Sequence, residues 1–90
     1  MKTKELIIKY SVLSETLNEI QSRIGEIEET IDALDATIEQ SESRGLSPNL
    51  IDELSKARND LDLVRLNLSL KANEIEHALL NFERVRLLTI

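Results

Sequence analysis

Ninety residues, 41 % hydrophobic, 31 % charged and only 2 % aromatic, make one small domain at most, with a balance that suits long helices better than a β-sandwich. The net charge of -6 argues against non-specific binding to DNA or RNA, which needs Lys and Arg to displace counterions, and points instead to protein partners. With no cysteine, a disulfide framework and a thiolate metal site are both excluded.

No apolar run approaches the roughly 18 residues of a membrane span. The opening "MKTKELIIKYS" lacks the apolar core and cleavage site of a signal peptide. A soluble, cytoplasmic chain that starts at Met1 and is complete in itself is therefore expected, with no membrane and no nucleic acid among its partners.

From Leu6 onward, apolar residues fall at Leu6, Tyr10, Leu13, Leu17, Ile20, Ile24, Ile27, Ile31, Leu34 and Ile38. The steps alternate four and three, which is a heptad seam. Tyr10, Leu17, Ile24, Ile31 and Ile38 take position a, the others d, and the seam fades at Ser41. Gly25 falls at b, on the outside, at a cost of about 1 kcal/mol against alanine. This predicts a helix over about 3–43.

The stretch "SRGLSPNL", residues 43 to 50, then holds the only proline and one of the two glycines. Gly45 suits the left-handed position just past a helix. Ser47 is a favoured N-cap, and Pro48 at N1 has a preset φ and gives up only an orphan N–H. Residues 44–47 are therefore predicted to be a tight turn between two helices.

A second helix is predicted over about 48–88. Its seam is expected to place Leu54, Leu61, Leu68, Ile75 and Phe82 at a, with Leu50, Ala57, Val64, Lys71, Ala78 and Val85 at d. Lys71 breaks the apolar pattern, its stem expected along the seam and its ammonium toward Glu19 or Glu74, or else as a polar core residue that selects oligomeric state. "LDLVRLNLSL", residues 61 to 70, also alternates with period two, but no turn signal bounds it as a strand.

The predicted fold is thus all-α: residues 1–90 form one antiparallel two-helix hairpin of coiled-coil type. A turn centred near residue 46 makes neighbours of positions whose numbers sum to about 92. Asp35 should then lie near Arg58, Glu28 near Arg65, and Tyr10 level with Phe82. Ala57 and Ala78 should allow close approach opposite Leu34 and Leu13.

Outside its seam, the second helix carries Leu63, Leu66, Leu70, Leu80 and Leu87, with Leu79, Leu88 and Ile90 widening the apolar surface. At the open end the first helix adds Ile7, Ile8 and Val12. Soluble monomers seldom leave such a patch exposed. Leu63, Leu66, Leu70, Leu80, Leu87, Ile8 and Val12 are therefore the expected partner-binding residues. A second copy, giving a four-helix bundle dimer, is the favoured occupant, and a helix of another protein the rival. The run of Glu26, Glu28, Glu29, Asp32, Asp35, Glu39 and Glu42 reads as a solvated face, or as a docking surface for a basic partner.

No catalytic constellation is present, and no cofactor is expected. Glu74 and His77 have the Glu-x-x-His spacing of di-metal carboxylate bundles. Two chains, with Glu15 or Glu19 at about the same height, give the alternative reading of a metal-binding four-helix bundle.

In size, acidity and hairpin form the chain resembles small secretion-apparatus chaperones, which cover apolar helices of an aggregation-prone client. It also resembles plasmid-encoded hairpin dimers that form four-helix bundles on RNA, although the acidic first helix would repel phosphate. "LSKARNDLD", residues 54 to 62, does not match the Ser-Gln-Glu-Leu-Asp-like motif of hairpin phosphatases of sporulation regulators. The resemblances imply an adaptor, chaperone or structural subunit.

Overall fold

The computed structural model describes residues 2–89, with side chains from 4 to 85. Two helices account for nearly all of it: α1, Lys2–Ser43, and α2, Pro48–Thr89, packed against each other as a hairpin. No strand occurs among the described residues. The molecule is a rod of 66 × 15 × 14 Å, as expected for 42-residue helices that rise about 1.5 Å per residue.

The turn is built as its residues require. Gly45 takes φ 68°, the left-handed region that an L side chain enters only at a cost of about 1–2 kcal/mol. The Leu46 N–H donates to the Ser41 carbonyl at 3.0 Å and the Gly45 N–H to the Glu42 carbonyl at 3.1 Å. That is the Schellman pattern, which satisfies carbonyls the helix end would otherwise leave open. At the start of α2 the Ser47 carbonyl accepts the Leu50 and Ile51 N–H groups at 3.1 and 3.2 Å, with Pro48 at N1.

Helix α1 buries the seam its spacing predicts. From Tyr10 to Ile38 every a and d residue is at least half-buried, and Ser41 closes the row. Leu6 is the exception, still exposed near the open end. The aromatic rings of Tyr10 and Phe82 sit 5.1 Å apart, and the Arg58 Nε donates to Asp35 Oδ1 at 3.0 Å. Both pairs fix the antiparallel register at a sum of 92 to 93.

Helix α2 corrects the expected seam. Leu54, Leu61, Leu68, Ile75 and Phe82 face α1, but Leu50, Ala57, Val64, Lys71, Ala78 and Val85 are exposed. The row beside them is instead Ile51, Arg58, Arg65, Ala72 and Leu79. Against expectation α2 is thus rotated by about 50°, half a residue step. Leu79 belongs to the seam rather than the outer surface, and Ala72, not Ala57 or Ala78, is the small residue at close approach, 6 % exposed.

Two arginines explain the rotation. Their stems cover seam positions while the heads reach carboxylates at the edge: Arg58 to Asp35 and Asp62, Arg65 through Nε and Nη2 to Asp62 Oδ1 at 3.0 and 2.9 Å. Arg65 is therefore held by Asp62, not by Glu28. Lys71 lies outside the seam and meets Glu74 at 3.4 Å, so it neither crosses toward Glu19 nor occupies the core.

The hairpin core is thin. Ile31 and Ala72 are the buried hydrophobic residues among those described. A compact 10.2 kDa monomer exposes about 5,300 Å², whereas this chain exposes 7220 Å². Its radius of gyration, 20.0 Å, compares with about 12 Å for a globular chain of this length.

Two substitutions probe the seam. Lys71→Leu should change stability by less than about 0.5 kcal/mol, since the site is open surface, whereas Ala72→Leu should cost about 1–3 kcal/mol by overpacking. Urea unfolding followed by circular dichroism at one protein concentration separates the two. Gly25→Ala should gain about 1 kcal/mol, because a Cβ there meets nothing within 4 Å.

Candidate interaction surface

Helical geometry carries a second row along the back of α2. Leu63, Leu66, Leu70, Asn73, His77 and Leu80 follow one another at steps of three and four, the spacing of a seam rather than of scattered surface residues. Four of the six are leucines, and the two polar members stand together between them. With the first seam on Ile51, Leu54 and their repeats, this row lies about 140° away around the helix. No part of α1 reaches it. Leu63, Leu66, Leu70 and Leu80 are between 51 and 62 % exposed, and Asn73 and His77 are exposed with them.

Leu87 falls in the same row, but its side chain lies outside the described residues. At the open end Ile7, Ile8 and Val12 of α1 are each more than half exposed. They extend the apolar surface near the level of Leu80 without joining the row itself, because they stand on the other helix. Counting apolar residues misses Asn73 and His77 as members of the row: both hold heptad positions between leucines, but both are polar.

Electrostatically the face differs from the rest of the rod. Residues 26–42 of α1 display seven exposed carboxylates. Arg23 reaches Glu26 at 3.5 Å and Arg58 reaches Asp35, while the second row of α2 contains no carboxylate between Leu63 and Leu80. A shallow depression lined by Glu76, Leu79, Leu80 and Glu83 runs beside its end. A second, at the closed end, is lined by Ala36, Glu39, Gln40, Ser43 and Arg44.

Glu74 and His77 sit one turn apart, but Glu74 is engaged by Lys71 at 3.4 Å. Among the described residues, no three His, Asp or Glu side chains gather to hold a metal ion. No helix is long and apolar enough, over the described residues, to cross a membrane.

No protein-family model, curated protein or solved structure matches the chain. The surface therefore has to be interpreted from its own chemistry.

The two-chain metal site has a direct test. Excess Zn, Mn or Fe should leave the melting midpoint within about 1 °C of the metal-free protein, because a ligand stabilises only what it binds. A rise that disappears in His77→Ala would reveal a site completed only by assembled chains.

Proposed function

We propose that this chain is a non-enzymatic protein-interaction module: a helical-hairpin adaptor, small chaperone or structural subunit, cytoplasmic, that associates through the outer face of α2. The favoured partner is a second copy, giving a dimer of four helices. A partner helix of another protein is the alternative occupant of the same face.

One observation carries this proposal. The second row of α2 has the spacing of a helix-packing seam, yet its four leucines stand open to water, in a chain that exposes about 1,900 Å² more than a compact monomer of its mass. Each leucine removed from water contributes about 1.5–3 kcal/mol. The surplus also exceeds the roughly 800 Å² that one partner gives up in a standard interface.

Size-exclusion chromatography with light scattering at two concentrations tests it. The wild-type chain should run above its 10.2 kDa monomer mass, and Leu66→Glu with Leu70→Glu should return it to the monomer without loss of helical circular dichroism. The dissociation constant should rise by at least about 100-fold, as two buried leucines per copy imply. A wild-type chain that stays monomeric and unaggregated at both concentrations would refute association through this face.

A further inference from the structure

We infer that the occupant of the outer α2 face is a second copy docked antiparallel, with a two-fold axis between Leu70 and Asn73, so that the four helices lie in a row with the two α2 helices central. The inference rests on the self-association proposed above and adds its orientation and shape.

The row itself narrows the register. An isologous interface brings residue i to j and j to i, and antiparallel seams pair a-type with d-type positions. When paired numbers sum to 143, Leu70 of one copy faces Asn73 of the other, Leu66 faces His77, and Leu63 faces Leu80. Every layer from Leu63 to Leu80 then contains a leucine. The two Asn73 residues flank the two-fold axis, about 4.5 Å apart along the helix direction, close enough for their amides to hydrogen-bond, as polar groups inside a seam must. A shift of one heptad sets either Leu80 against Lys56 or Leu66 against Arg84. At a sum of 143 Lys56 meets the row only at its margin, level with Leu87, where its ammonium reaches water.

Parallel docking stacks Asn73 on Asn73 and His77 on His77, two successive layers without an apolar side chain. A lone asparagine pair is a register device that parallel dimers tolerate. The imidazole pair beside it adds a second polar layer with no apolar side chain to bury.

Charge selects the antiparallel direction independently. At the open end, residues 4–12 and 81–85 hold Lys4, Lys9 and Arg84 against Glu5 and Glu83. In the antiparallel register this end comes level with residues 53–62 of α2 and 31–40 of α1 in the other copy. Those stretches hold six carboxylates against Lys56 and Arg58. Parallel docking would set the basic ends together and the acidic lengths together, a like-charge arrangement that interfaces avoid.

The row shape follows from the corrected seam. Helices at the corners of a square bundle use faces about 90° apart, whereas the two seams of α2 lie about 140° apart. Each α2 is therefore sandwiched between its own α1 and the other α2.

Spin labels on single cysteines, introduced into the cysteine-free chain at Asp60, Asn67, Glu74 and Asn81, test the orientation by pulsed dipolar distances. All four positions are exposed and lie in one heptad row beside the proposed interface. The axial separation between copies should be shortest at Glu74 and Asn67 and grow to about 28 Å at Asn81 and about 34 Å at Asp60. A fifth label at Ser22, level with the axis on α1, should give about 20–25 Å, the α1-to-α1 separation for helices about 8–10 Å apart that meet at about 140°.

Short distances at all four α2 sites would mean parallel docking and overturn the inference while leaving self-association intact. The expected α2 profile with a Ser22 distance of about 10–15 Å would mean a square bundle and overturn the row. A monomeric mass with no dipolar coupling would remove self-association as well, so the two failures are distinguishable.

Discussion

A hairpin of two long helices can cover each helix on one side only, and every unusual property of this chain descends from that constraint. From Leu13 to Ile38 helix α1 has a single apolar seam and a largely hydrophilic remainder, so pairing once satisfies that length. Helix α2 has two. Whatever face it turns to α1, another leucine-bearing row remains outside, and among the described residues none is left to cover it, because the turn occupies only the few residues between Ser43 and Pro48.

Which row α2 turns inward is settled by polar groups. Leu50, Val64 and Val85 are more apolar than Arg58 and Arg65, yet the arginines take the seam and the aliphatic residues stay outside. An arginine stem covers apolar surface nearly as well as a short aliphatic chain, and its guanidinium gains carboxylate partners at the seam edge. Asp35 and Asp62 stand where those heads emerge. The same rotation removes Lys71 from the core, so the one flaw in the expected pattern disappears and two charged residues with better anchoring replace it.

The sequence makes these features legible to different degrees for physical reasons. In α1 only one row is apolar, so the spacing from Tyr10 to Ile38 leaves a single solution. The turn is equally unambiguous, since Gly45 is needed for a positive φ and Pro48 fits only the first position of a helix. In α2, rows containing Leu50 and Val64, Ile51 and Ala72, and Leu63 and Leu70 are all candidates. Apolar counting cannot rank rows that include an arginine. Level alone pairs Glu28 with Arg65, but Asp62, one turn away on the same helix, reaches the guanidinium without crossing the groove. Asn73 and His77 stay hidden in the outer row because a polar side chain marks a seam position only once the leucines on either side of it are seen to be unpaired.

Placing the two seams nearly opposite, rather than at the right angle of a square bundle, has a consequence for what the molecule can become. A helix with adjacent faces closes an assembly, because each new contact bends the structure back on itself. A helix with opposed faces extends it in a plane. In a two-fold arrangement that extension stops at four helices, since α1 presents an acidic outer surface along residues 26–42 and offers no third seam there. In the proposed dimer the acidic face and the double seam would be complementary devices: one would cap the layer, the other would hold α2 against its partner. Only the open end departs from this division, where Ile7, Ile8 and Val12 leave α1 apolar outside its seam.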